Sequence, residues 1–357
     1  MDDSVHASDH ASDHAPTHAS AHASAHASAH ALGRALVAWF EGRARPFPWR
    51  TERTPYRVWV AEAMLQQTRA ETVVPYFRRW MRAFPTVSDL AGAEVEQVLS
   101  AWEGLGYYRR AHALHRAARR IVTCDGGRFP SDEAGWRSLP GVGPYTAAAV
   151  AAFALGHRTV AVDGNVRRVG ARLRAEAAPV DAQLRQALLP LLPTRHPARG
   201  TEALIELGAT VCSPRAPDCG ACPLRPGCAG AATGEPTAFP ARIRRVPVPT
   251  RRRWALVALN GDRIWLERRP DDGLLGGLWG VPQREVAPHG RTLPEIRHAY
   301  SHFALRLVPV VVDGAPVPSD DGREAGWAGP ERRASLPLSK VDRTVLANLR
   351  EAGLLAS

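Results

Sequence analysis

The sequence predicts an α plus α/β multidomain chain: an all-helical domain over residues 31–229, then a smaller α+β domain over residues 253–357. Two observations carry this. Apolar residues recur at helical spacing through the first stretch, broken at glycines and restarted at capping residues. Near residue 230 the composition turns to Pro, Gly, Thr and Arg without periodicity, and strand-like segments follow. A length of 357 residues suits two domains. With 45% apolar and 23% charged residues, a packed core is expected and wholesale disorder is not. No run of 18 apolar residues is present, so no membrane span is expected. No basic-then-apolar leader is read at the N-terminus, so the expected compartment is the cytoplasm.

Each element has a local reason. Thr54 can cap a helix whose first residue is Pro55, and Val58, Ala61 and Leu65 form its apolar stripe. Val95, Val98, Leu99 and Trp102 form another, stopped by Gly104 and Gly106. Leu114, Ala118, Ile121 and Val122 mark a helix with Arg109, Arg110, Arg116, Arg119 and Arg120 on its other faces. Pro144 starts a helix that Gly156 ends. Leu184, Leu188 and Leu191, then Leu204, Leu207 and Val211, mark two more. Residues 230–252 are expected to be a linker. Beyond it, Asn260-Gly261-Asp262 between two apolar segments signals a hairpin, residues 299–312 a long strand, and Val341–Leu355 a closing helix.

The first thirty residues differ from the rest. Seven of the 14 histidines recur every fourth position, His6 to His30, among Ala, Ser and Asp. Helical spacing would align them for metal capture. The preferred expectation is a disordered tail with too little apolar surface to offset its ordering entropy. The tail holds four acids and no Lys or Arg, so the net charge of +11 becomes +15 for the rest of the chain. That balance suits a polyanionic partner, most often nucleic acid. Of 46 cationic side chains, only Lys340 is a lysine.

Two motifs narrow the chemistry. Cys212, Cys219, Cys222 and Cys228 are spaced C-x6-C-x2-C-x5-C, which suits zinc or an iron–sulfur cluster. Disulfides are a third reading, weakened by the absence of an export signal. Leu139-Pro140-Gly141-Val142-Gly143-Pro144 allows a tight hairpin whose N–H groups open a helix and can hold a phosphate.

A helix-hairpin-helix, an Asp some 20 residues later at Asp163, and this cysteine spacing together resemble the endonuclease III superfamily of DNA glycosylases. The resemblance implies a [4Fe–4S] cluster on Cys212, Cys219, Cys222 and Cys228. Lyase members of that superfamily carry a hairpin lysine that attacks the sugar. Tyr145 stands there in this chain, so hairpin-lysine chemistry is excluded by residue inventory.

Pro48-Trp49-Arg50, the stretch Val58 to Thr68, Gly104-Leu105-Gly106-Tyr107-Tyr108 and Val162-Asp163-Gly164-Asn165-Val166 resemble the MutY-type adenine DNA glycosylases. Those enzymes remove adenine opposite 8-oxoguanine. The chemistry needs an acid to protonate the leaving base and a carboxylate to face a cationic sugar. The resemblance gives these roles to Glu62 and Asp163. Beside Trp59 and Met64, Glu62 is placed for a pKa raised by desolvation. A helix start favours ionised Asp163. Each alone would read as an ordinary helix carboxylate and an ordinary N-cap.

By the same resemblance, Tyr145 and Asn165 position the sugar and Asp163. Trp49, Arg50, Glu202 and Ile205 shape the adenine pocket, and Gln67, Thr68, Leu105 and Tyr107 meet the duplex where adenine is extruded. Gly141 and Gly143 of the hairpin meet the DNA backbone, and the arginines at 109–120 include phosphate contacts.

Gly276 to Pro282 and Tyr300-Ser301-His302-Phe303 resemble the Nudix-like 8-oxoguanine-recognition module of that family. It implies that Tyr300, Ser301 and His302 lie near the oxidised guanine, with Tyr300 where Phe is usual. After Pro282 only Glu285 and Glu295 precede Arg297, with prolines between, which argues against a working Nudix hydrolase and for a trimmed helix. The expected partner is double-stranded DNA carrying A:8-oxoguanine or A:G, bound by a monomer at the bacterial nucleoid.

Overall fold

The computed structural model describes residues 18–242, 247–271, 273–314 and 323–356. Among them the helices are α1 (His18–Glu41), α2 (Pro55–Leu65), α3 (Ala70–Ala83), α4 (Val87–Gly92), α5 (Val95–Trp102), α6 (Arg109–Asp125), α7 (Glu133–Arg137), α8 (Pro144–Phe153), α9 (Gly164–Arg174), α10 (Asp181–Leu188), α11 (Pro197–Thr210) and α12 (Ala229–Ala232). Strands β1 (Thr250–Asn260), β2 (Arg263–Arg268), β3 (Trp279–Gly280), β4 (Gln283–Arg284), β5 (Arg291–Thr292), β6 (Ile296–Ala299), β7 (Ala304–Val312) and β8 (Ala325–Ala328) follow, then α13 (Pro330–Ser335) and α14 (Lys340–Glu351).

Packing divides the chain into two compact units, neither of them one continuous segment. The first joins the chain up to Arg45 with Gly156–Arg242. Its core sets Leu36, Trp39 and Phe40 of α1 against Val166 and Val169 of α9 and Leu204 and Leu207 of α11. Helix α1 begins at His18, so residues 18–30, expected to be disordered, carry helical backbone, while residues 1–17 lie outside the described residues. Alanine alternates through this stretch and has the highest helix propensity. The buried turns at Leu36 to Phe40 supply the nucleus from which it extends.

The expected linker is also partly built in. Gly230 is buried against Arg172, the Ala241 N–H bonds Ala177 O, and Arg251, Arg252 and Arg253 belong to β1. Of the linker arginines, Arg244 and Arg245 lie outside the described residues.

The second unit joins Pro46–Leu155 with the chain from Ile243 onward. Its helical core is aromatic. Trp80 meets Trp102 edge-on at 5.4 Å, and its Nε1 donates to the Tyr56 hydroxyl, which donates to Phe84 O. Trp136 stacks on Phe129 and meets Trp59 edge-on, seating α7 beneath α2. Thr54 accepts from the Arg57 N–H with Pro55 at the first helical position. Helix α8 stops at Phe153, before Gly156, whose φ is +73°.

In the sheet, β1 lies parallel to β7 from Thr250↔Ala304 to Ala258↔Val312 and antiparallel to β2. The β1–β2 turn closes at Asn260↔Arg263. Of the strand expected over 299–312, Ala304–Val312 form β7, while Ala299 ends the antiparallel β6 and residues 300–303 turn between the two. Among the described residues no helix lies between Pro282 and Ile296.

Several polar bonds tie sheet to helices within this unit. The His112 Nε2 donates to Gly276 O at 3.0 Å, Trp279 Nε1 donates to Glu96, and Arg343 pairs with Glu103. A side chain at Gly277, φ +73°, would meet Leu99 at 2.9 Å, so glycine fits there on both counts. Asp342 holds the end of the sheet: buried, it accepts two bonds from Arg269 Nη2, one from Val281 N and one from Ser339 N-capping α14. Replacing Asp342 with Ala strands Arg269 and the Val281 N–H, and should cost roughly 3 kcal/mol. Denaturant unfolding of purified Asp342→Ala checks this; an unchanged midpoint would refute it.

Candidate active site

Glu62 lies on the last turns of α2, 5% exposed although a carboxylic acid. The Tyr145 hydroxyl, one residue into α8, donates to its Oε2 at 2.8 Å. Beside this bond, Gln66 Nε2 donates to Thr146 Oγ1, so two side-chain bridges bind the end of α2 to the start of α8. The hairpin before α8 is fixed by contact. Gly141 has φ +74°, and a Cβ there would meet Ala113 Cβ at 2.3 Å. At Gly143, N-cap of α8, no atom lies within 4 Å of an added Cβ, so the helix start faces open space. A cavity of about 550 Å³ runs along this face, lined by Trp59, Ala63, Arg109, Arg116, Pro140 and Gly141.

Gln67, Thr68, Leu105 and Tyr107 lie on the loops after α2 and α5. Gln67 and Tyr107 are exposed and adopt left-handed φ, +57° and +51°. Few non-glycine residues do so, and strain of this kind collects at functional sites. Leu105 is buried. Trp49 is also buried, stacked on Phe47 at 4.8 Å and edge-on to Phe77, while the Arg50 guanidinium lies over Phe47. Not every arginine of α6 faces out: Arg110 is turned inward, whereas Arg120 is exposed and donates to Ser138 O.

A second cavity, about 620 Å³, brings together residues from both chemistries read in the sequence. Leu105 and Tyr107 line it with Tyr300, Ser301 and His302. The last three form the β6–β7 turn, closed by Tyr300 N donating to Phe303 O. Tyr300 packs on Phe303 and His298, and burial pushes its pKa up to about 12, so its hydroxyl stays neutral. Ser301 and His302 are exposed, their side chains 3.3 Å apart. The sequence reading missed His298 and Lys340, which also line this cavity. No spacing rule links residues 40 apart.

In the first unit, Asp163 caps α9. Its Oδ1 accepts from Asn165 N and Val166 N at 2.9 and 2.7 Å, and its Oδ2 from Asn165 Nδ2 at 2.8 Å. These bonds favour the carboxylate, as the helix start suggested. Burial outweighs them and raises the pKa above the ordinary aspartate value. Asn165 in turn accepts from Arg168 Nη2, which also donates to Gly208 O, while Arg168 Nε donates to Cys212 O. Arg168 was not singled out in the sequence; its i+3 spacing from Asn165 was the available signal. Glu202 is buried and Ile205 half-buried on α11.

The four cysteines are unpaired thiols on the loop after α11. Cys222 is pushed up to about 11 by burial and by the charges of Cys212, Cys228 and Cys219, against an N–H bond from Leu224. Buried Arg172 donates from Nη1 to Cys212 Sγ at 3.2 Å and to Ser213 O. Four cysteine sulfurs on one loop, with the Leu224 N–H directed at Cys222 and the Arg172 guanidinium at Cys212, are the donor type that an iron–sulfur group takes. Among the described residues, no three His, Cys, Asp or Glu are grouped to hold a metal ion.

Glu62 and Tyr145 thus lie in one packing unit, Asp163, Asn165, Glu202, Ile205 and the cysteines in the other. Among the described residues no helix is long and apolar enough to cross a membrane.

Residues 60–193 match the model of the HhH-GPD superfamily base excision DNA repair proteins, and residues 253–348 that of the NUDIX domain. Adenine DNA glycosylase of Homo sapiens is 34% identical over 76% of this chain and 65% of its own length. Adenine DNA glycosylase of Mus musculus is 34% identical over 79% of this chain and 70% of its own. The chain therefore spans just under two thirds of the human relative's length. A solved thermostable thymine-DNA glycosylase superposes with a TM-score of 0.56 at 25% identity, covering 59% of this chain and 99% of that one.

Two substitutions test the site. Because the folded pKa of Asp163 is raised, the native state binds the extra proton above the ordinary aspartate range. Stability from that group is full at acid pH and is lost as pH rises through the raised value. Asp163→Asn removes this loss, so its stability relative to wild type should improve from acid to neutral pH. Unfolding midpoints at several pH values check this; a gap that does not move with pH would refute it. Gly141→Ala should unfold more readily by about 1–3 kcal/mol, from overpacking and positive φ, read from the same midpoints.

Proposed function

We propose a function on one premise: the chain belongs to the adenine DNA glycosylase family. It removes adenine mispaired with 8-oxoguanine or guanine by hydrolysing the N-glycosidic bond, without a lysine Schiff base. The observation that carries this is the buried Glu62 with Tyr145 bonded to it at the lyase-lysine position of the hairpin. A carboxyl sheltered from water can hold a proton for the departing base, and a tyrosine cannot form a Schiff base.

In this reading Glu62 protonates adenine and later handles the attacking water. Tyr145 fixes the Glu62 oxygen that does not carry the proton. Asp163, ionised and aimed by Asn165, stabilises the cationic sugar. Gln67 and Tyr107 enter the duplex, and Trp49, Arg50, Glu202 and Ile205 shape the base pocket. The cavity shared by Tyr107, Tyr300, Ser301 and His302 receives the 8-oxoguanine. Cys212, Cys219, Cys222 and Cys228 hold a [4Fe–4S] cluster, supported by four free cysteines on one loop and by the Arg172 donor. When bound, that cluster supplies a fixed core for the loop and a redox-capable centre.

Purified protein with an A:8-oxoguanine duplex, then alkali, should cut the adenine strand; borohydride should trap no adduct. Cutting at oxidised pyrimidines instead would overturn the reading. Glu62→Gln should lose at least 100-fold in single-turnover rate while still binding the duplex. Visible absorbance of iron–sulfur type should be present in the wild type and lost in Cys222→Ser.

A further inference from the structure

The last turn of α2 and the loop after α5 both end in carbonyls that no helix can satisfy. One guanidinium serves carbonyls on both segments. Arg110, in the first turn of α6, donates from Nη1 to Ala63 O, Met64 O and Gln66 O at 2.9, 2.8 and 2.6 Å. From Nη2 it donates to Gly106 O at 3.0 Å and Leu105 O at 3.4 Å, and it lies 3.5 Å from Thr68 Oγ1. Its Cζ sits 5.1 Å from the Trp102 ring and 5.4 Å from the Tyr107 ring. The two segments it joins are those that carry Gln67 and Tyr107. Each of these is exposed, and each is held at a positive φ that a non-glycine residue leaves when released.

We propose that Arg110 is a positioning residue that locks the Gln67 and Tyr107 loops in register, so that both side chains enter the duplex as one rigid pair. It touches neither base nor phosphate. The fork geometry is essential. Five N–H groups in a plane reach carbonyls on both segments, whereas an ammonium on a single stem reaches one cluster at a time. Burial fits the role as well, since a desolvated guanidinium surrounded by carbonyls has little left to offer a phosphate; that burial moves its pKa down to about 10.

This inference rests on the reading of Gln67 and Tyr107 as duplex probes, so its test has one arm that needs no activity. In Arg110→Lys, which keeps charge and stem, amide hydrogen exchange should quicken at residues 66–68 and 105–108 together, and not in α11. Exchange unchanged at either segment would overturn the lock. With an A:8-oxoguanine duplex carrying 2-aminopurine beside the lesion pair, Arg110→Lys should lose most of the unstacking fluorescence. Its single-turnover excision should fall about 10–100-fold at saturating protein, with the salt slope of binding unchanged. A slope reduced by about one, with fluorescence intact, would make Arg110 a phosphate contact and refute the proposal. A wild type that shows no excision while its variant shows the exchange change would refute the adenine reading and keep the lock. Arg110→Met extends the series; if it does not fold, Arg110→Lys alone decides.

Discussion

A carboxyl taken out of water must be given donors or must take a proton, and this chain buries both of the carboxyls expected to carry its chemistry. The surroundings of each follow from that constraint. Glu62 lies between the closing turn of α2 and the opening turn of α8, and the Tyr145 hydroxyl is aimed at one of its oxygens. Asp163 sits at a helix start, where three N–H groups converge on it and burial still raises its pKa. The hairpin at Gly141 and the aromatic packing of Trp59, Trp136 and Phe129 hold the first arrangement. Asn165, Arg168 and Gly208 hold the second. The polar groups are bound to helix ends because that is where the backbone has donors and acceptors left over.

Local rules made much of the fold legible. Thr54 and Pro55 announce α2, Gly104 and Gly106 follow the end of α5, and Asn260-Gly261-Asp262 announces the β1–β2 turn, because each depends on neighbours within a few residues. What escaped depends on distant partners. Arg110 reads as one more cation on a basic helix face, since three of its acceptors, Ala63 O, Met64 O and Gln66 O, lie more than 40 residues earlier in the chain. His112 meets Gly276 across 164 positions. The division into packing units is of the same kind, because α1 completes a core with helices that begin after residue 160.

The direction of the Asp163 shift has a similar lesson. Its capping position was readable, and capping alone favours the carboxylate. The opposing effect is desolvation, a property of everything packed around the group, and no motif states it. The tail shows the reverse case. Its composition suggested disorder, but alanine spacing and a buried helix further along carry α1 back to His18.

The cavity beside the β6–β7 turn contains the only lysine in the chain, at the start of α14. Every other cationic side chain is a guanidinium, which stays charged at any physiological pH and is inert to acylation. Lysine-directed acylation therefore has a single side-chain target in this chain. That target lines the same cavity as Tyr107, Tyr300, Ser301 and His302, so acylation there would remove one positive charge at that cavity and leave every guanidinium charged.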